Sequence, residues 1–149
     1  MKITAVLLAS LIFVSCTTLV PPGKSRVKYQ TIIEHNKDVQ IAYKLSMEWM
    51  NNNFASTKNS LEFSDKELGI ITGKGYYPVK VSMGVEYGIW YVLTIELKEN
   101  RTRFTYDVDY GIKAGLSNNI DENYVAFHEN MYNLESSYKV YVNNNDNEW

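Results

Sequence analysis

The sequence predicts an α+β domain, with one antiparallel sheet of about five strands, two helices on one of its faces and the other face open to solvent. Two observations carry that prediction. Residues 91–98 and 101–110 alternate apolar and polar side chains on one side only, a pattern that belongs to strands covered on a single face. Residues 38–54 and 121–138 instead repeat large apolar side chains at spacings of three and four, as helices with an apolar stripe do. The element order that follows is β-α-β-β-(β)-β-β-α. The bracketed strand stands for residues 76–88, which read either as an extended strand through Val79, Val81 and Met83 or as a tyrosine-rich loop.

At 149 residues the chain has room for one domain and one core. Its apolar fraction of 45% and charged fraction of 21% argue against global disorder. Twelve tyrosines and three tryptophans suit a sheet-rich domain or a contact surface.

The N-terminus stands apart from the fold. Met1-Lys2 is a short basic start, and residues 3–14 are a nearly unbroken apolar run. As a helix that run spans about 18 Å, short of the roughly 30 Å core of a bilayer, so residues 1–15 read as a signal peptide. Phe13-Val14-Ser15-Cys16 resembles a bacterial lipobox, with Phe13 where Leu is usual. The resemblance implies cleavage before Cys16 and lipid on its sulfur and new amino group. That would hold the protein to a membrane of the bacterial cell envelope, facing the periplasm. Cys16 is the only cysteine in the chain, so no intramolecular disulfide can form. Residues 16–26, with two prolines and a glycine, read as the lipid anchor and a flexible tether. Removing residues 1–15 takes away Lys2 alone among the charges, leaving 14 basic and 17 acidic groups, a formal −3. No strong basic field then exists for phosphate backbones, and nucleic acid is not an expected partner.

The domain is read over residues 27–142. Val27, Tyr29, Thr31 and Ile33 alternate with Lys28, Gln30 and Ile32 in the first strand. Asp38 is placed to N-cap the first helix. There Gln40, Lys44, Glu48 and Asn51 form a narrow polar wedge, and Ala42, Leu45, Trp49 and Met50 belong to the wide apolar remainder. The asparagines at 51–53 mark its end. Two short strands follow at residues 61–64 and 68–74, with a turn at 65–67. Tyr91, Leu93, Ile95 and Leu97 face inward, against Trp90, Thr94, Glu96 and Lys98. Glu99-Asn100 makes a tight hairpin into a last strand with Phe104, Tyr106, Val108 and Tyr110 inward. Asp121 would cap a second helix carrying Tyr124, Phe127, Met131, Leu134 and Tyr138, and residues 143–149 read as a polar tail.

Three stretches together resemble a known family. They are Tyr43-x4-Glu48-Trp49-x4-Phe54, Asp65-x3-Gly69-Ile70-Ile71-x-Gly73-Lys74-Gly75, and Thr94-Ile95-Glu96-Leu97-Lys98-Glu99-Asn100-Arg101-x-Arg103. They resemble a bacterial domain-of-unknown-function family with a TATA-binding-protein-like fold, common in envelope lipoproteins. The resemblance runs from about Tyr29 to Tyr110. It implies fold and setting but brings no activity and no catalytic residues, and DNA binding does not follow from a fold.

The chemistry-bearing residues are few. His35 lies in a turn, and His128-Glu129-Asn130-Met131-Tyr132 lacks the second histidine of a zinc-protease helix, so both histidines read as surface residues and no metal or cofactor is expected. No Gly-x-Ser-x-Gly elbow is present, and Gly69, Gly73 and Gly75 read as points of twist inside a strand. Asp107 and Asp109 share a sheet face, roughly 6.5–7 Å apart at strand rise. They read as part of a solvated face balanced by Arg101 and Arg103, or as an acid pair for glycoside hydrolysis. The same open face is expected to mix Glu62, Glu96, Lys98, Arg101 and Arg103. Tyr76, Tyr77, Tyr87 and Trp90 would form a contact patch if exposed together.

These observations favour a lipid-anchored, non-catalytic envelope domain. It would bind a protein or glycan partner through Tyr76, Tyr77, Tyr87, Trp90, Thr94, Glu96, Arg103 and Asp107. A glycan-active enzyme using Asp107 and Asp109 is the alternative, followed by a small-ligand carrier with a pocket between the sheet and residues 76–88.

Overall fold

The elements form in the order β1 (Arg26–Glu34), α1 (Val39–Asn53), β2 (Ser60–Asp65), β3 (Ile70–Lys80), β4 (Glu86–Lys98), β5 (Arg101–Asp109) and α2 (Ile120–Asn144). The computed structural model describes residues 26–56, 58–80, 86–110 and 120–145. Cys16, the stretch read as a signal peptide and nearly all of the stretch read as a tether lie outside them. The five strands make one sheet in the order β1-β5-β4-β3-β2, and every neighbouring pair is antiparallel. Both helices pack on one face of it. The α+β expectation therefore holds, with five strands and two helices among the described residues.

Among the described residues the bracketed strand is not a separate element, and Val81 and Met83 lie outside those residues. Residues 76–80 continue β3 and residues 86–88 begin β4, paired from Tyr76↔Trp90 through Lys80↔Glu86. The pattern hid this because Gly75, Pro78 and Gly88 interrupt the alternation. Tyrosine rings fill the places of the missing side chains: a Cβ on Gly75 would overlap the Tyr91 ring, and one on Gly88 would overlap the Tyr76 ring. A pocket between the sheet and residues 76–80 or 86–88 is thereby removed, since those residues are themselves sheet. Gly69 closes the β2–β3 turn at φ +65° instead of lying in a strand, and its carbonyl accepts from Leu97 N–H at 2.8 Å. Asn100 takes the left-handed position of the β4–β5 hairpin at φ +62°.

Asp38 caps α1 as expected, accepting from the N–H groups of Gln40 and Ile41 at 2.8 and 2.9 Å. Helix α2 begins at Ile120, so Asp121 lies inside its first turn, and it continues through Asn143 and Asn144 into the stretch read as a tail. Trp49 sits between the helices and the sheet, with ring centroids 5.8 Å from Phe104 and 5.4 Å from Tyr138. Its indole N–H donates to Ser137 Oγ at 3.1 Å.

His35 is a correction to the surface reading, for it is buried, as are Thr102, Ser46 and Tyr138. The Lys37 backbone N–H donates to His35 Nδ1 at 3.2 Å, which puts the ring hydrogen on Nε2. From there one directed chain runs. Nε2–H donates to Thr102 Oγ1 at 2.9 Å, Thr102 to Tyr138 Oη at 2.9 Å, Tyr138 to Ser46 Oγ at 2.8 Å, and Ser46 to the Ala42 carbonyl at 2.6 Å. It ties the β1–α1 turn, β5, α1 and α2 together inside the core. Burial, then the charge of Lys37, holds the imidazole below its ordinary value.

Candidate binding face

The open face is set by the register of the ladders, since residues opposite each other point to the same side. Three cross-strand rows carry most of its chemistry. The first runs Arg26, Asp109, Trp90, Tyr76; the second Lys28, Asp107, Val92, Lys74, Ser60; the third Gln30, Thr105, Thr94, Thr72, Phe63. A fourth row places Ile32 beside Arg103 and Glu96.

The charges are paired along these rows. Arg26 Nε lies 3.3 Å from Asp109 Oδ2, and Lys28 Nζ 3.7 Å from Asp107 Oδ2. The cations opposite the two aspartates therefore come from β1, rather than being Arg101 and Arg103. Arg103 Nε donates to Glu96 Oε2 at 2.8 Å, and this bond holds the Glu96 carboxyl below the usual carboxylate range. Beside the ion pairs, Gln30 Nε2 donates to Thr105 Oγ1 at 3.1 Å in the row that contains Thr94.

The aromatic residues divide between the faces. Tyr76 and Trp90 lie together on the open face with ring centroids 4.7 Å apart, the Tyr76 ring lying over Gly88. Lys58 Nζ sits 4.5 Å from the Tyr76 centroid and Lys74 Nζ 4.8 Å from that of Trp90, within cation–π reach. Asn59 Oδ1 accepts from the Tyr76 backbone N–H at 2.8 Å, extending the contact with β3 just before β2 begins. Tyr77 turns to the other face and packs on Phe127 of α2, 5.7 Å between centroids. Tyr87 pairs opposite Val79, and its side chain is outside the described residues. The patch is thus Tyr76 and Trp90, with Thr94, Glu96, Arg103 and Asp107 across the same face. Arg26, Lys28, Lys58 and Lys74 join it. Strand periodicity already places Lys74 there, whereas Lys58 reaches it from a loop with no periodic signal.

This surface offers two adjacent aromatic rings with lysine ammonium groups over them, hydroxyls in a row and matched charges, the chemistry of recognition by aromatic contact and hydrogen bonding. Among the described residues no group of histidine, cysteine and carboxylate side chains could hold a metal ion.

Residues 29–108 match the family described as a domain of unknown function (DUF4468) with TBP-like fold, and the chain belongs to that family. The protein is similar to a DUF4468 family protein from Bacteroides ovatus, at 14% identity and a TM-score of 0.59, covering 80% of this chain and 89% of that one. It is also similar to a TBP-like protein from Parabacteroides distasonis, at 16% identity and a TM-score of 0.55, covering 80% and 96% respectively. At these identities the likeness is one of fold. No curated protein matches the chain.

Proposed function

We propose that the protein is a lipid-anchored domain of the bacterial envelope, held to its membrane through Cys16, that binds a protein or glycan partner without catalysis. The supporting observation is the open face itself. An aromatic pair, half-buried Tyr76 and exposed Trp90, lies beside a hydroxyl row and ion pairs on the sheet face away from the helices. Asp107 and Asp109, the residues of the alternative enzyme reading, each face a β1 cation there. That arrangement favours a solvated recognition surface over an acid–base pair.

The experiment is photo-crosslinking in cells from Thr94, on the open face, with the buried Leu93 as control. A discrete adduct at Thr94 alone is expected and identifies the partner; no adduct at either position contradicts a protein partner. Replacing Asp107 and Asp109 together by Asn separates the enzyme reading, since an enzyme using the pair would lose its activity toward envelope glycans.

A further inference from the structure

The sheet ends at β1, and among the described residues nothing pairs with its outer edge. The strand is nine residues long and pairs with β5 without a bulge. Natural proteins usually blunt such edges, because a regular row of unpaired N–H and C=O groups is a template for another strand. This edge also complements itself. If β1 pairs antiparallel with a copy of itself about Gln30, Arg26 falls opposite Glu34 of the second copy and Lys28 opposite its Ile32, where the lysine stem can lie on the exposed isoleucine. On the helix face Val27 meets Ile33. A slip of one residue would set open-face side chains against helix-face ones, so complementarity favours a register that keeps the faces matched.

Helix α2 supplies an independent observation. His128 packs on Tyr29 with ring centroids 4.7 Å apart, and Tyr138 bonds to Thr102, the residue opposite Ile33. The helix therefore runs alongside β1 in the same direction, with its middle near Gln30 and Thr31. One flank, with Ser137 and Tyr141, meets Trp49 and Glu48 of α1. Val125, Tyr132 and Val140 of the helix are 59, 69 and 59% exposed. At 100° per residue Tyr132 and Val125 fall about 20° apart on the side of His128, whereas Val140 points away from the sheet, about 60° from Ser137. A two-fold axis through Gln30 would bring Val125 and Tyr132 toward the same residues of the second helix.

We infer that the β1 edge and the outer flank of α2 form one isologous interface, through which two copies of this chain join their sheets into a continuous ten-stranded sheet. Charge complementarity at the strand ends, with the exposed Val125 and Tyr132 on the β1 side of α2, singles out a second copy as the occupant.

The test uses the full chain in detergent micelles. Residues opposite each other in an antiparallel pair have Cα atoms about 4.5–5.5 Å apart, within disulfide reach. Gln30→Cys, in a chain whose Cys16 is Ser, should therefore form a disulfide-linked dimer much faster than Thr94→Cys at the middle of the sheet. Sedimentation should show a dimer, and Tyr132→Asp, a change at an exposed position, should weaken it about tenfold. A monomer at tens of micromolar, equal cross-linking at Gln30 and Thr94, or a dimer indifferent to Tyr132→Asp would each overturn the inference.

Discussion

His35 cannot be protonated without loss in the folded protein. The new Nδ1–H would point at the Lys37 N–H that now donates to it, and the charge would sit within a buried hydrogen-bonded chain. Its folded value is lowered from 6.5, so the unfolded chain binds the proton more readily. This group's contribution to stability is therefore present at neutral pH and falls as pH drops below about 6.5. Urea midpoints measured across that range should fall with acidification, and His35→Gln should remove this component. Trp49 tests packing instead. It is 2% exposed and wedged against Phe104 and Tyr138, so Trp49→Ala should cost about 3–5 kcal/mol. An unchanged denaturant midpoint would contradict its central position.

At the scale of elements, α2 carries a second proton-linked group with the opposite sign. Burial pushes the Glu135 carboxyl up to about 7, so folding favours its neutral form. Its contribution is full below the ordinary carboxylate value and is lost as pH rises through about 7. Glu135 and His35 thus oppose one another between about pH 4.5 and 6.5. In Glu135→Gln the loss of stability on acidification should be steeper than in the native chain, and equal slopes in the two proteins would exclude a buried Glu135. The elements also differ in how legible they were. Helix α1 and the β4–β5 hairpin followed from local chemistry, an Asp38 cap and an Asn100 at positive φ. The continuation of β3 past Gly75 did not. Glycine and proline are poor strand formers, and only the Tyr91 and Tyr76 rings packed over Gly75 and Gly88 compensate for their missing side chains.

At the scale of the molecule, the proposed setting depends on one thiol. Cys16→Ala should move the protein from the membrane fraction to the soluble fraction, and retention of lipid label by that variant would contradict the lipobox reading. Strand order is a whole-molecule property as well. It places β1 beside β5, so Arg26 and Lys28 answer Asp109 and Asp107 across 83 and 79 positions of chain respectively.

The sequence by itself determined which residues form helices and most strands, that one sheet face is covered, and that Thr94, Glu96, Arg103 and Asp107 share the other. Each of these follows from a period of 2 or 3.6, a cap or a turn, which are short-range properties of the chain. Tertiary structure decided the partners. It buried His35 at the head of a hydrogen-bond chain, sent Tyr77 to the core while Tyr76 joined Trp90, and replaced Arg101 and Arg103 by β1 cations beside the aspartates. Those outcomes rest on contacts between residues far apart in sequence, where periodicity carries no information and only register and packing select the neighbour.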